Sequence, residues 1–324
     1  MDLIPDVTIT FTEVRIPVPW GHISGRWYGD QNERPILALH GWQDNCGTFA
    51  KLAPLISPYR SLLCIDLPGH GLSSYLPTGV IYHNLEFVRV ILRLMQIYKW
   101  EKVSLLGHSM SGSLAFHFAS FFPDRVDMII SLDIIKALYR SAKIAPALYA
   151  AAIEKALKYN DCLWNNASTT NSEPPSYTFQ QCETMLCEGT RKSVELENCK
   201  YILERNITKS HLYPDKYFFS RDVRIKYLIE MNPNLEMTLN MAERICSANI
   251  PYLIIKGGKS KYPDSAASEL DEYMAKNNKN FESYIYPDGT HHLHLNNPKP
   301  VAQLVIRFLQ KHDREQSKVI KSKI

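Results

Sequence analysis

The 324-residue chain lacks the features of a membrane protein and of a disulfide-stabilised secreted domain. No window supplies the run of about 18 uncharged apolar residues that a transmembrane helix needs. The N-terminus has no basic segment followed by an apolar run, so no secretory signal is predicted. Seven cysteines without Cys-x-x-Cys spacing favour reduced thiols over a disulfide framework or a zinc site. We therefore expect an intracellular, cytoplasmic protein with no membrane span, no metal ion and no cofactor.

The sequence also has little net charge. The formal value is +4, and most of that excess comes from residues 311–324. A nearly neutral remainder gives little support to nucleic-acid binding. Hydrophobic residues make up 45% of the chain and charged residues 22%, which excludes intrinsic disorder and a fibrous architecture. A globular protein that acts on a small-molecule substrate is expected.

Short, continuous apolar runs alternate with helix-like segments along much of the chain. Such runs are typical of strands buried on both faces, and their alternation with helices predicts a mostly parallel α/β sheet. Polar and apolar residues alternate over residues 7–28, which indicates an antiparallel pair at the sheet edge. The apolar runs are Ile36–Leu39, Leu62–Ile65, Val103–Leu106, Met128–Leu132, Tyr252–Lys256 and Phe281–Ile285, and the predicted helices are Tyr82–Tyr98, Leu114–Phe121 and Pro300–Leu309.

The alternation of strands and helices stops after Asp133 and resumes at Tyr252. The intervening residues contain helix-like segments and many aromatic side chains. We predict a core domain formed by residues 1–134 and 248–324, with residues 135–247 inserted as a helical cap.

The segment around Ser109 carries the strongest chemical pattern. A buried strand leads into Gly107-His108-Ser109-Met110-Ser111 and then into a helix, which is the setting of a nucleophile elbow. A serine on so tight a turn needs small residues two positions before and after it. Gly107 and Ser111 are small, although a second glycine is usual at position 111. Ser109 is the predicted nucleophile.

A serine nucleophile needs a base, because its hydroxyl is barely ionised at neutral pH. In the α/β-hydrolase fold the base follows the last strand. Three histidines occupy that loop, and His291, two residues beyond Gly289, is the predicted base. We expect His294 to be structural and His292 to be exposed.

Two backbone N–H groups are predicted to form an oxyanion hole. In this fold one belongs to the residue after the nucleophile and the other to the loop after the third strand. These residues are Met110 and Trp42, the latter within His40-Gly41-Trp42. The alternative is that this tripeptide forms only a tight turn.

The acid of the triad is the least regular part of the pattern. Its usual position, three residues beyond Gly257, holds Ser260, which cannot stabilise an imidazolium electrostatically. Asp133, at the end of an apolar run, is the predicted acid, and Asp264 is the reserve. The structural alternative for Asp133 is a helix N-cap.

Four segments together resemble the serine hydrolase-like proteins of the kraken type. The resemblance spans nearly the whole chain and implies an α/β-hydrolase fold, in which a mostly parallel eight-stranded sheet is flanked by helices and carries an inserted helical cap. Ser111 and Ser260 depart from the family pattern. The four segments are Leu39–Asn45, Asp66–Ser74, Leu106–Met110 and Tyr217–Arg224. The residues expected to support the catalytic motifs within them are His40, Gly41, Gly107 and His108.

The function expected from these residues is that of a serine hydrolase acting on carboxylic esters. An acyl-enzyme on Ser109 fits an ester better than an amide or thioester, and the aromatic cap favours a hydrophobic substrate. Because Ser260 is not an acid, the alternative function is that of a ligand-binding homologue with little turnover. Dehalogenation or epoxide opening on this fold requires a carboxylate nucleophile. Because position 109 is serine, neither reaction is expected.

The last three residues are Ser322-Lys323-Ile324, which differ from the peroxisomal Ser-Lys-Leu tripeptide only at the final position. Kraken-type proteins have been linked to peroxisomes, so the resemblance implies recognition by a peroxisomal import receptor. A basic tail that ends this way by chance is the alternative.

Overall fold

The computed structural model describes residues 10–136, 143–166, 173–230, 233–262 and 267–313, and an eight-stranded sheet forms its centre. A separate pair of short strands, β7 and β8, lies outside the sheet. The strands are β1 Thr12–Val18, β2 Gly21–Tyr28, β3 Ile36–Leu39, β4 Leu62–Ile65, β5 Val103–His108, β6 Val126–Leu132, β7 Ile207–Lys209, β8 Tyr217–Phe219, β9 Tyr252–Gly257 and β10 Phe281–Tyr286.

The strand order in the sheet is β1-β2-β4-β3-β5-β6-β9-β10. β1 and β2 pair antiparallel at one edge, and β2 also pairs antiparallel with β4. All other neighbours are parallel, from β4 through β10. The predicted mostly parallel eight-stranded sheet with an antiparallel edge is confirmed.

Helices cover both faces of the sheet. Strands β3 to β6 are almost entirely buried, which explains their continuous apolar sequences. The helices are α1 Ala53–Ile56, α2 Asn84–Tyr98, α3 Met110–Phe121, α4 Ala145–Asn166, α5 Phe179–Gly189, α6 Cys199–Leu203, α7 Leu235–Ser247, α8 Ala267–Asn277, α9 Leu293–Asn296 and α10 Pro298–His312.

Successive side chains of the central strands enter two different apolar cores, because a strand alternates its side chains between faces. Leu37 and Leu39 of β3 belong to the core that also contains residues of α2, α3, α7 and α8. Ile36 and Ala38 belong to the core that contains residues of α1 and α10. The sheet is therefore held rigid from both sides, and the loops at its strand ends are fixed relative to one another.

The segment between β6 and β9 contains α4 to α7 and the β7–β8 pair. A small apolar core joins α5 and α6, and Arg205 ties this region to the sheet through an ion pair with Asp66 at 2.9 Å. By contrast, α7 packs against α3 and α8 in the main core. The predicted cap boundaries at residues 135 and 247 stay a prediction, although the packing places α7 with the core.

Two of the sequence expectations concern membranes and thiols. In the part of the chain that the structure describes, no helix combines the length and hydropathy needed to cross a membrane. Cys46, Cys64, Cys182, Cys187, Cys199 and Cys246 are free thiols.

Candidate active site

Ser109 lies at the sharp turn between β5 and α3, in a backbone conformation that is strained for a non-glycine residue, with φ 53° and ψ −118°. Its N–H donates to the carbonyl oxygen of Leu132 at 3.0 Å. A Cβ on Gly107 would collide with the Ser111 carbonyl oxygen, and one on Gly112 would collide with that of Ile134. Glycines on both sides therefore let the chain make the turn that presents the Ser109 hydroxyl.

The three predicted triad residues lie in one hydrogen-bonded row. Ser109 Oγ is 2.8 Å from His291 Nε2, and His291 Nδ1 is 2.5 Å from Asp133 Oδ2. The residues come from three loops, which follow β5, β10 and β6. His291 and Asp133 are both buried, so their hydrogen bond is shielded from water.

Asp133 has a partner for each carboxylate oxygen. Its Oδ1 accepts from the backbone N–H of Gly257 at 2.8 Å, and its Oδ2 accepts from the Ser260 hydroxyl at 2.6 Å. The backbone of Asp133 has a φ of 71°, in the left-handed region. The carboxylate is thus fixed toward His291, and Ser260 takes part through Asp133 rather than in place of it.

Burial lowers the pKa of His291 below its ordinary value of 6.5, and the hydrogen bond to Asp133 opposes that shift. The ring also packs against Tyr262, with centroids 4.1 Å apart. The imidazole is therefore neutral at physiological pH, with Nδ1 donating to Asp133 and Nε2 able to accept the serine proton.

Of the two predicted oxyanion donors, Trp42 lines the same cavity as Ser109 and His291, and Met110 follows Ser109 directly in the chain. In the turns and loops of the described residues, the backbone N–H groups of Trp42 and Met110 donate to no backbone carbonyl oxygen. Ser111 Oγ donates to the His40 carbonyl oxygen at 2.5 Å, and Leu67 N–H donates to His40 Nε2 at 3.0 Å. The first bond holds the loop after β3 against the serine turn, and the second joins it to the loop after β4.

A cavity of about 530 Å³ opens onto Ser109 and His291. Much of its wall is apolar and comes from the segment between β6 and β9. Two cations, Arg221 and Lys226, also line it. Contributing apolar residues include Trp42, Tyr177, Met185, Leu186, Phe219 and Tyr262.

Arg221 has no carboxylate partner in the described structure. Its Nε donates to Gln43 Oε1 at 3.0 Å, and its guanidinium lies 5.1 Å from the centroid of the Phe219 ring. Burial lowers the pKa of this arginine. The neighbouring Arg224, in contrast, is paired with Asp222 at 2.7 Å.

The expectation that His292 is exposed is wrong. Its side chain is buried, and its Nδ1 is 2.8 Å from Ser193 Oγ, because the loop turns inward immediately after His291. His294 is buried beside Thr48, with its Nε2 2.8 Å from Thr48 Oγ1. Asp264, the reserve acid, lies outside the described residues, as do Ser322, Lys323 and Ile324.

Sequence reasoning missed the parts of the site that support the triad or face the cavity. Ser260 was recognised only as a missing acid, although a hydroxyl at that position could have indicated a partner for Asp133. Arg221 and Asp44 fall within the family-like segments, but no role was predicted for them. Tyr262 gave no pattern that could have identified it.

Comparisons with known proteins agree with this architecture. Residues 34–176 match the model of the alpha/beta hydrolase fold family. The chain is 34% identical to a probable serine hydrolase of Drosophila melanogaster, over 93% of this chain and 88% of that one. It is 30% identical to serine hydrolase-like protein 2 of Homo sapiens, over 92% and 94%.

Solved structures show the same fold. A hypothetical protein from Pseudomonas aeruginosa PAO1 superposes with a TM-score of 0.74 at 23% identity, covering 92% of this chain and 97% of that one. The thioesterase domain from the curacin biosynthetic pathway superposes with a TM-score of 0.71 at 20% identity, covering 92% and 99%.

Proposed function

Because this chain belongs to the serine hydrolase-like family of the α/β-hydrolase superfamily, we propose that it hydrolyses a carboxylic ester through an acyl-enzyme on Ser109. The observation that carries the proposal is the row of hydrogen bonds from Ser109 Oγ to His291 and on to Asp133, at 2.8 and 2.5 Å. A serine, a neutral imidazole and a buried carboxylate in this order are the parts that nucleophilic acyl transfer requires.

In the proposed first step, Ser109 Oγ attacks the ester carbonyl carbon while His291 Nε2 takes the hydroxyl proton. Asp133 holds the imidazole tautomer and stabilises the imidazolium that forms. The negative charge on the carbonyl oxygen is stabilised by the N–H groups of Trp42 and Met110. The tetrahedral intermediate then expels the alcohol, which receives its proton from His291, and the acyl group stays on Ser109.

In the second step a water molecule attacks the acyl carbon, and His291 takes one of its protons. The new tetrahedral intermediate expels Ser109 Oγ, which recovers a proton from His291. The products are the carboxylic acid and the free enzyme.

The cavity lining supports a substrate with both an apolar part and a negative charge. Apolar side chains supply much of the wall, which suits a hydrophobic acyl or alcohol group. Arg221 reaches the same cavity without a carboxylate partner, and Lys226 stands at the wall as a second cation. A half-buried guanidinium gains most from an anionic ligand. We therefore favour an amphipathic ester that carries a carboxylate or a similar anion.

We also propose that the segment 135–247 acts as a cap over the active site. Support comes from the cavity wall, to which this segment contributes Tyr177, Met185 and Phe219. A substrate would then bind between the cap and the strand ends of the core.

The alternative of a ligand-binding homologue with little turnover rests on the serine at position 260. Because Asp133 Oδ2 lies 2.5 Å from His291 Nδ1, a serine at position 260 does not favour that alternative over hydrolysis.

The experiment that tests the function uses p-nitrophenyl esters of increasing acyl length. The purified protein is expected to hydrolyse at least part of the series, and Ser109→Ala is expected to reduce kcat by about 10⁴-fold or more. Ser113→Ala, in the next turn of α3, serves as the matched control. Absence of turnover on every ester, or equal rates for the Ser109→Ala and unmodified proteins, would contradict the proposal.

The location of the protein stays a prediction, cytoplasmic or peroxisomal. A fluorescent protein carrying about a dozen of the last residues tests whether Ser322-Lys323-Ile324 is read by the peroxisomal import receptor. Punctate fluorescence is expected from import, and diffuse fluorescence would end the idea.

A further inference from the structure

Three buried side chains outside the triad converge beside the cavity. The ligand atoms are Asp44 Oδ2, His108 Nδ1 and His292 Nε2, and they all lie within 4.8 Å of one another. Asp44 Oδ2 is 3.9 Å from His108 Nδ1 and 3.7 Å from His292 Nε2. These separations are too long for hydrogen bonds, so the three atoms surround a space rather than bind each other.

The hydrogen bond of His108 on its other side fixes its tautomer. His108 Nε2 is 2.9 Å from the carbonyl oxygen of His291, and a carbonyl oxygen can only accept. Nε2 therefore carries the proton, and Nδ1 presents a lone pair to Asp44. The His108 Nδ1 atom is buried and has no hydrogen-bond partner.

His292 is fixed in the same way by Ser193. The Ser193 hydroxyl donates its proton to the Thr190 carbonyl oxygen at 2.8 Å. The bond of 2.8 Å between Ser193 Oγ and His292 Nδ1 must therefore use the Nδ1 proton of the histidine. His292 Nε2, on the other side of the ring, faces Asp44 Oδ2 at 3.7 Å.

One oxygen of the Asp44 carboxylate accepts a hydrogen bond and the other accepts none. Asp44 Oδ1 accepts from the backbone N–H of Asn45 at 2.8 Å, while Oδ2 is buried without a hydrogen-bond partner. Two imidazole nitrogens and a carboxylate oxygen thus face one another, and two of these buried atoms, Asp44 Oδ2 and His108 Nδ1, have no hydrogen-bond partner. Such an arrangement is costly unless a cation occupies the space.

We propose that Asp44, His108 and His292 bind a divalent first-row transition-metal ion, with Zn²⁺ as the best match. Two imidazole nitrogens and one carboxylate oxygen are a donor set that suits this class of ion. Tetrahedral ligands held about 2.1 Å from zinc lie about 3.4 Å apart, so small side-chain movements close the site. The bonds to Ser193 and to the His291 carbonyl are the outer contacts that orient ligating histidines in metal proteins.

The fourth coordination position would face the substrate cavity. Asp44, His108 and His292 all line the cavity that contains Ser109. A Cβ on Gly41 would come within 3.0 Å of His108 Nδ1, so the glycine keeps space open beside that ligand. Water or an anionic group of a ligand could complete the coordination there.

The test is a calorimetric titration of chelator-treated, full-length protein with Zn²⁺. One ion per chain is expected, with the same affinity in Ser109→Ala, so binding is scored independently of the proposed hydrolysis. Asp44→Ala and His292→Ala should each weaken binding by about 100-fold or more, and Ser193→Ala by about 10- to 100-fold. His294→Gln, which changes a buried histidine of the same loop that is not in the ligand set, should leave the affinity within a few-fold.

A second measurement needs no variants. X-ray absorption of the zinc-loaded protein should show nitrogen and oxygen neighbours, including imidazole scattering, and no sulfur. Absence of stoichiometric binding, undiminished binding in Asp44→Ala and His292→Ala, or sulfur in the first coordination shell would each overturn the proposal.

Discussion

The Ser260 hydroxyl donates a hydrogen bond to Asp133 Oδ2 over 2.6 Å, and that same oxygen accepts from His291 Nδ1 over 2.5 Å. The residue at the usual position of the acid, after β9, therefore supports a carboxylate that comes from the end of β6. Both strand ends meet at the same edge because β6 and β9 are parallel neighbours in the sheet. A carboxylate at the end of either strand can therefore lie close to the histidine.

The first prediction concerns the acid. Asp133→Asn should lower kcat by about 10³- to 10⁴-fold, because an amide that donates to His291 Nδ1 would favour the wrong imidazole tautomer. Ester hydrolysis at saturating substrate provides the measurement. Ser260→Ala should cost about 10-fold or less, because it removes only one bond to the carboxylate.

Asp264→Asn serves as the control for the reserve acid and should leave kcat within a few-fold. A large loss in Asp264→Asn together with a small loss in Asp133→Asn would show that the acid has been assigned to the wrong residue.

The second prediction concerns pH. Burial lowers the pKa of His291 below 6.5, and only the neutral imidazole can take the serine proton. Activity is therefore retained at pH 6.5 and falls as the pH decreases through the lowered pKa. A profile of kcat/KM for an uncharged ester should show its acid limb with a midpoint below 6.5, whereas a midpoint above that value would contradict this account.

The third prediction concerns substrate charge. The unmodified protein should prefer p-nitrophenyl hemisuccinate to p-nitrophenyl butyrate, and Arg221→Gln should lower kcat/KM for the charged ester by about 10- to 100-fold. The neutral ester should be nearly unaffected, because it makes no ion pair with the guanidinium. Lys226→Gln, at a more exposed cation, should have a smaller effect.

An equal loss on both esters in Arg221→Gln would assign this residue a structural role instead. Hydrolysis of the neutral ester with no preference for the charged one would leave the proposed hydrolase activity standing but remove the anionic substrate class.

The fourth prediction concerns the departure at Ser111. Its hydroxyl bonds to the His40 carbonyl oxygen, so a glycine here would lose a buried hydrogen bond and add backbone freedom to α3. Ser111→Gly should lower the free energy of unfolding by about 1–2 kcal/mol. Urea denaturation provides the measurement.

The matched control for Ser111 is Ser113→Gly in the same helix. Ser113 Oγ is 3.5 Å from its nearest hydrogen-bonding atom, His117 Nδ1, so its loss should be smaller. Equal losses in the two variants would mean that the bond to His40 contributes nothing measurable.

The sheet was predictable because strands that are buried on both faces have continuous apolar sequences. The bounds of β3 and β4 coincide with the apolar runs Ile36–Leu39 and Leu62–Ile65. The start of α3 was predicted four residues late, because Met110-Ser111-Gly112-Ser113 lacks a helical apolar pattern and begins instead at a turn required by Ser109.

The catalytic residues were predictable where their position relative to the predicted strands and helices along the chain is enough to identify them. Strand, turn and helix around Ser109, and a histidine after the last strand, led to two of the three residues in the hydrogen-bonded row. The burial of His292 could not be predicted, because it depends on the path of a short loop. Asp44, His108 and His292 come from the loop after β3, the end of β5 and the loop after β10, and no spacing in the sequence indicates that they converge.

The measurement that tests the central claim most directly is covalent labelling of Ser109 by a fluorophosphonate, followed by peptide mass spectrometry. The native protein should take up one label per chain on the peptide that contains Ser109, and labelling should disappear in Ser109→Ala and in heat-denatured protein. Labelling that persists in Ser109→Ala, or native protein that takes up no label, would contradict the account of Ser109 as an activated nucleophile.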